Sequence, residues 1–483
     1  MPSDPSIDAD TPSKPPLRRG DVVELVMEKM ADRGKCLTYH NGQVVFVPHT
    51  LAGERVQAKV VKRRRKFAEA QLLAVLQPSP NRVQPRCEYF GSCGGCTLQT
   101  TSYIQQLEDK YQLVRETMTR IADLPNLEIH KPLESAAIFG YRNKMEFSFS
   151  PYRWLTREEI DSGEVFDTSF ALGLHPPNVF AKILDIHRCH LQDERSTAVV
   201  NGIRVLAKQH HWSPWNWRNK EGFLRHLVIR QSVHMPDFMV NLITSEYDAE
   251  CMSCLEAYLK EEHPYVTTLV NTINSTPAQT AFGERTETIY GPGILRERIG
   301  DLTFEIAPGA FFQTNTLQAE QLVNVVRDLA GVTKKEHVYD LYCGTGTIAL
   351  SLAKHAAHVT GIELIEDAIL NARSNAALNG IKNTTFISGD MLRLLNPELI
   401  TEHGNPDVVV LDPPRAGMHP KVAVQVSRLN ARRIVYVSCN IQSQARDLLI
   451  LSKSYDAIVA QPVDLFPQTH HLENIVLLEK KVS

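Results

Sequence analysis

The 483-residue chain has no apolar run approaching the ~18 residues that cross a bilayer, so a membrane-spanning protein is not expected. Its first sixteen residues, MPSDPSIDADTPSKPP, carry neither a basic start nor an apolar segment. They are therefore no secretory signal, and residues 1–17, rich in Pro, Ser and Asp, read as a short disordered tail. Net charge is almost lacking: 52 basic against 55 acidic side chains leave −3. Bulk composition thus does not announce nucleic-acid binding, and such a role must rest on local basic patches. Nine cysteines is an odd number without the spacing of a small disulfide scaffold, which favours a reducing, cytoplasmic setting. What is plentiful is hydrophobic residues, 43% of the chain, ample for packed cores. At ~150 residues per domain the length predicts about three.

Residues 18–78 alternate short β-rich runs with turns. Candidate strands are 21–27, 34–39, 44–48, 55–61 and 68–76, with Asn41-Gly42 a strong hairpin signal. Five short strands predict a small barrel of the OB type, a frequent nucleic-acid platform. Lys59 is followed by Lys62, Arg63, Arg64, Arg65 and Lys66. Such a run is either a solvated surface or a phosphate contact. The segment resembles a TRAM domain, an RNA-binding barrel found on RNA-modifying enzymes.

Cys87, Cys93 and Cys96 then fall within ten residues, with Gly94 and Gly95 letting the chain curl around a metal group. A closed site needs a fourth ligand. Cys189 is the best candidate; Cys251 and Cys254 compete, but their helix-like surroundings read as core. Spacing does not separate zinc from an iron–sulfur cluster, and it is not the C-x3-C-x2-C of radical enzymes.

After a helical run at 101–121, helical and strand patterns mix from about residue 133 to 306, predicting a central α+β domain. Within it, Arg142 and Lys144 stand beside Tyr141 at the start of a strand, as exposed surface or RNA-backbone contacts. Trp212, Trp215 and Trp217 with Arg218 and Lys220 either stack bases or pack as a loop.

Residues 308–483 alternate helix and strand, predicting a parallel α/β sheet with its ligands at the C-terminal strand ends. The chain is organised around residues 337–350, HVYDLYCGTGTIAL: a short apolar strand, a turn at Gly344 and Gly346, and a helix. Glycines allow close approach of a ligand, and the helix start offers free N–H groups. Glu363 ends the next apolar run, where a carboxylate can accept from ribose hydroxyls. The turn is not G-x-G-x-x-G; it resembles the S-adenosylmethionine (SAM) site of class I methyltransferases.

Two further strand ends carry chemistry: Asp412-Pro413-Pro414-Arg415, and Ser438-Cys439-Asn440. A pyrimidine C5 is too weak a nucleophile to take a methyl group directly from SAM. A thiolate adding to C6 activates it, and a base must then remove the C5 proton before the thiol departs. Cys439 suits the first role. Glu473, at the entrance to the final strand, suits the second, with His470 and His471 as rivals.

Together, F-F-Q-T-N (311–315), D-L-Y-C-G-x-G (340–346), L-D-P-P-R-A-G (411–417), Y-V-S-C-N (436–440) and H-L-E (471–473) resemble the RNA uracil-C5 methyltransferase family. The resemblance implies a multidomain chain: a TRAM/OB-like barrel at 18–78, an iron–sulfur segment with a central α+β domain at 79–307, and a Rossmann-like class I SAM-dependent methyltransferase domain at 308–483. It implies Cys439 as nucleophile and Glu473 as base, with Gln313, Tyr342, Thr347, Glu363, Asp390 and Asp412 at SAM-site positions. Cys87, Cys93, Cys96 and Cys189 match the family's [4Fe–4S] ligands. The simplest tRNA enzymes of the family lack barrel and cluster, which favours 23S rRNA as substrate, although some cluster-bearing relatives act on tRNA. A cytoplasmic monomer is expected. An amino-methyltransferase or a non-catalytic RNA-binding module are the alternatives.

Overall fold

The computed structural model describes residues 17–482. Of the tail expected at 1–17, residues 1–16 lie outside that range. Leu17 does not belong to a tail: its side chain is buried in the barrel core with Leu25 and Met27.

The N-terminal barrel has the order Val22–Val26, Arg55–Arg63, Phe67–Gln77, Gln43–Pro48, Lys35–His40, Lys29–Met30. Alternation builds it: Val56, Ala58 and Val60 point inward while Arg55 and Lys59 face solvent. His40 pairs with Gln43 across Asn41 and Gly42, whose φ values of 51° and 75° suit the two-residue turn this dipeptide favours.

The central domain is an eight-stranded mixed sheet. Helices Glu194–Gln209 and Ala249–Glu262 cover one face, burying Val199, Ile203, Cys251 and Leu255 against Phe147, Leu227 and Val240. Cys251 is thus a core residue, and Cys254 packs partly against the same core.

The catalytic sheet runs Thr384–Ser388, His358–Glu363, His337–Leu341, Val408–Leu411, Arg433–Ser438, Glu473–Lys480, Tyr455–Val463, Glu128–Ile129. The five strands from Thr384–Ser388 to Arg433–Ser438 are parallel; Glu473–Lys480 is antiparallel to both neighbours. Helices Thr316–Ala330, Thr347–Ala353 and Glu366–Leu378 pack on one face. Tyr103–Arg120, Pro420–Arg428 and Ile441–Leu451 pack on the other.

This packing crosses the expected division at 307/308. Val114 and Met118 of helix Tyr103–Arg120 share a core with Tyr339, Leu411 and Tyr436, and Glu128–Ile129 adds an edge strand to the catalytic sheet. The hairpin Leu295–Ile299 and Leu302–Ile306 also joins the catalytic core. The physical cause is an apolar sheet face that helices downstream of residue 308 leave partly uncovered.

Candidate active site

The strand His337–Leu341 ends in a turn with positive φ at Tyr342 (68°), Gly344 (53°) and Gly346 (85°), after which helix Thr347–Ala353 begins. A side chain on Gly361 of the next strand would sit 2.7 Å from Phe386 and 2.9 Å from Cys343 Sγ, so glycine there lets the turn close onto its neighbour. Glu363 Oε2 accepts Gly344 N–H at 3.2 Å, and Oε1 accepts Leu364 N–H at 2.8 Å. Asp390 caps helix Met391–Leu394 through Leu392 N–H at 2.9 Å. Burial pushes the Tyr342 phenol up to about 12, reinforced by the charges of Asp447, Asp390 and Glu363, so these groups share one space. Thr347 opens the helix, and the Gln313 carbonyl accepts Asn143 Nδ2 at 2.9 Å, pinning its loop to the central domain.

Beneath the turn, Asp340 is 1% exposed, and the backbone N–H of Ala349 in the following helix leans on its carboxyl. Burial, then Asp412, with Glu363 nearby, holds that carboxyl far above the usual range. A buried carboxyl below two left-handed glycines, flanked by Glu363 and Asp412, fits a site built for a polar, positively charged small molecule. SAM meets that description, and Tyr342, Glu363, Asp390 and Asp412 would hold it.

Register sets the second half of the site. Ser438 pairs with Asn474 across the antiparallel strands. Cys439 therefore leaves one strand where Glu473 enters the other. The two are electrostatically coupled: burial and the neighbouring Glu473 push the Cys439 thiol up to about 11, while the charge of Arg415 draws it down. Glu473 is 4% exposed, and burial followed by the Asp412 charge raises its carboxyl well above the usual range. Asp412 keeps some surface open, but enclosure of its carboxyl raises it to about 7.

The loops are tied to each other. Asn440 caps helix Ile441–Leu451, and its Nδ2 donates to the Arg415 carbonyl at 2.9 Å, as Ser443 Oγ does at 3.1 Å. Asp447 Oδ2 accepts both Met418 N–H and the Tyr436 hydroxyl at 2.7 Å. Sequence reading named Arg415 only as part of the Asp412-Pro413-Pro414-Arg415 loop and missed it as a partner of the thiol. Its signal was a cation three residues beyond the acidic strand end at Asp412. Burial, then His470, lowers His471 to about 3, and the His470 ring faces Thr97 Oγ1 at 3.3 Å.

Cys87, Cys93, Cys96 and Cys189 come together, each thiol of the trio feeling the charge of Cys189. Burial pushes Cys87 to about 11 and Cys93 and Cys96 to about 12, and raises Cys189. N–H groups lean on every sulfur: Tyr89 and Phe90 on Cys87, Gly95 on Cys93, the Gln99 side chain on Cys96, and Leu191 and Gln192 on Cys189. Among the described residues no three His, Cys, Asp or Glu side chains are disposed around a single metal ion. A four-iron cluster takes one thiolate at each of four separate irons, so its ligands stand further apart than those of one zinc. Four gathered, N–H-supported thiols fit that group.

Lys62 to Lys66 form the exposed tip between strands Arg55–Arg63 and Phe67–Gln77, with Lys62 paired to Glu69 at 3.2 Å. Arg142 is half-buried within electrostatic reach of Cys189 and His471. Lys144 is also half-buried, and burial, then Arg230, lowers its ammonium. Of the tryptophans, Trp212 stacks on His210 and Trp215 lies under Arg225, whereas Trp217 is 40% exposed beside Arg218.

Residues 295–481 match the tRNA (uracil-5-)-methyltransferase family, and residues 16–73 match the TRAM domain. An uncharacterized RNA methyltransferase of Bacteroides thetaiotaomicron is 40% identical over 93% of this chain and all of its own. One of Chlorobaculum tepidum is 40% identical over 96% of this chain and 97% of its own. The crystal structure of Pyrococcus abyssi tRNA (uracil-54, C5)-methyltransferase with S-adenosyl-L-homocysteine superposes with a TM-score of 0.73 at 28% identity, covering 94% of this chain and all of that one. With its SAM-type turn, its TRAM barrel and relatives matched along nearly their whole length, the chain belongs to the SAM-dependent RNA uracil-5 methyltransferase family.

Proposed function

We propose that this enzyme makes 5-methyluridine in RNA through a transient bond between Cys439 Sγ and uridine C6, with Glu473 removing the C5 proton. The observation that carries it is the meeting of Cys439, Glu473 and Arg415 at the end of the Ser438–Asn474 pair. A thiol held near 11 is mostly protonated at neutral pH, so its proton must pass to water as the Sγ–C6 bond forms and the C5–C6 π electrons move onto the uracil ring. The Arg415 guanidinium is placed to favour the anion. SAM, when bound, supplies the methyl group to C5. Glu473 then takes the C5 proton; the C–H electrons form the C5–C6 double bond, and the thiolate leaves C6. A carboxyl raised by burial is, once ionised, a stronger proton acceptor than an ordinary one, whereas His471 near 3 is a poor one.

Lys62, Arg63, Arg64, Arg65 and Lys66 on the barrel, with Arg142 and Lys144, would contact the RNA backbone. Cys87, Cys93, Cys96 and Cys189 would hold a [4Fe–4S] cluster tying the segment after the barrel to the central domain. The enzyme would act as a cytoplasmic monomer. Barrel and cluster ligands favour 23S rRNA as the substrate. A tRNA uridine is the second reading, favoured by the near-complete superposition on an enzyme described as acting on tRNA uracil 54. Mapping 5-methyluridine in rRNA and tRNA from a deletion strain decides between them.

The covalent step is tested by two variants that should fail differently. Cys439→Ala should yield neither product nor a complex that survives denaturing electrophoresis. Glu473→Ala should trap the protein on RNA, because methylation proceeds but elimination does not. Normal turnover by Cys439→Ala would overturn the mechanism.

A further inference from the structure

The loop that delivers Glu473 is held largely from outside its own stretch of chain. Between strands Tyr455–Val463 and Glu473–Lys480, the Gln468 carbonyl accepts the N–H groups of both Thr97 and Leu98 at 3.0 Å. Gln468 N–H donates to Gln106 Oε1 at 3.0 Å, and Gln106 Nε2 donates to Gln468 Oε1 at 3.1 Å. His470 N–H donates to Thr97 Oγ1 at 3.0 Å, and the Tyr141 hydroxyl donates to the Pro467 carbonyl at 3.0 Å. Gln468 has φ of 68°, a left-handed conformation that a non-glycine residue keeps only when its surroundings impose it. Gln106 is 0% exposed, and the Leu98 side chain is embedded in the barrel core.

Cys439 is held quite differently, by Asn440 and Ser443 of helix Ile441–Leu451 and by the Arg415 loop. Nucleophile and base stand on paired strands, and Gln444 of helix Ile441–Leu451 bonds Asn474 beside the base; the loop leading into Glu473, by contrast, is gripped by the N-terminal segment. We propose that Thr97 and Gln106 are positioning residues for proton removal: by gripping Gln468 and His470 they aim Glu473 at the C5 proton of the methylated adduct. This rests on the roles given above to Cys439 and Glu473, and it makes the second half of the reaction the half that the N-terminal segment controls. Thr97 directly follows Cys96, so whatever fixes the Cys96 sulfur also fixes this grip.

The test separates the two halves of one turnover. Thr97→Val removes the hydroxyl at constant shape, and Gln106→Leu removes the amide; Thr97→Ser is the conservative control. With enzyme in excess over RNA carrying tritium at uridine C5, one measures methyl incorporation, tritium release and the RNA fraction in denaturation-resistant complex. For Thr97→Val and Gln106→Leu, tritium release should slow about ten- to a hundredfold, the scale of a small misplacement of a reacting group. Methyl incorporation should stay within about twofold on the same reasoning, the adduct should accumulate, and Thr97→Ser should restore release. SAM binding by calorimetry checks that the variants are folded. Methyl incorporation and tritium release falling together without adduct, or release unchanged in both variants, would overturn the positioning role. If Glu473→Ala itself fails to trap RNA, the parent mechanism has failed instead, and the two failures are thereby told apart.

Discussion

Lys110 Nζ lies 2.7 Å from Asp464 Oδ1, with both side chains at 0% exposure. The pair joins helix Tyr103–Arg120 to the start of the loop that leads to Glu473. Burial pulls the Lys110 ammonium down, and the Asp464 carboxylate opposes that pull.

Removing one partner leaves the other charge buried and alone. Lys110→Met should cost about 3–5 kcal/mol, seen as a fall of roughly 6–20 °C in the thermal midpoint of the catalytic domain. Lys110→Met with Asp464→Leu should recover most of that loss, because neither charge then needs solvation. A single variant as stable as the parent would contradict the pairing.

Arg415→Ala removes the charge that favours the Cys439 thiolate. Adduct formation should slow about two- to fivefold, the worth of an exposed charge of about 0.2–1 kcal/mol. The pH dependence has a fixed sign. Glu473 works only when ionised and its carboxyl is raised, and the thiol is raised to about 11. Activity should therefore climb from acid through neutral pH toward the alkaline side, and in Arg415→Ala the thiol-dependent rise should move to higher pH. Stopped assays at a series of pH values from acid to alkaline would show it; a rate that falls with rising pH would contradict both assignments.

The five basic residues from Lys62 to Lys66 are exposed on a hairpin tip. Replacing Arg63, Arg64 and Arg65 with Ala should weaken RNA binding and flatten its salt dependence by about 0.7 log units for each lost single-strand contact. SAM affinity should not change. An unchanged salt slope would return the segment to plain solvated surface.

Protein purified without oxygen should be brown, with iron and sulfide near four each per chain, the stoichiometry of a [4Fe–4S] group. Cys189→Ser should lower both, since the fourth ligand comes from the central domain. A colourless protein with one zinc would reject the iron assignment while keeping the four cysteines.

What the sequence determined alone is whatever depends on near neighbours. Asn41-Gly42 specified its turn, because two adjacent residues tolerate left-handed backbone. The apolar run and glycines of 337–346 specified strand, turn and helix start, and the thiols at 87, 93 and 96 announced a shared purpose within ten residues. Short strands such as Ala171–Leu174 and Ile183–Asp185 escaped notice, since three or four residues carry too little alternation to read. Tertiary structure alone decided that Cys439 and Glu473 meet. That depends on the register of Ser438 with Asn474, set by the burial of whole strands on both faces of the sheet rather than by either motif. It also decided that helix Tyr103–Arg120 serves the catalytic domain and that Arg415 turns to the thiol. An exposed Arg and a buried Lys carry no local signature: their partners are chosen by which surfaces the folded chain brings together, a sum over contacts distant in sequence.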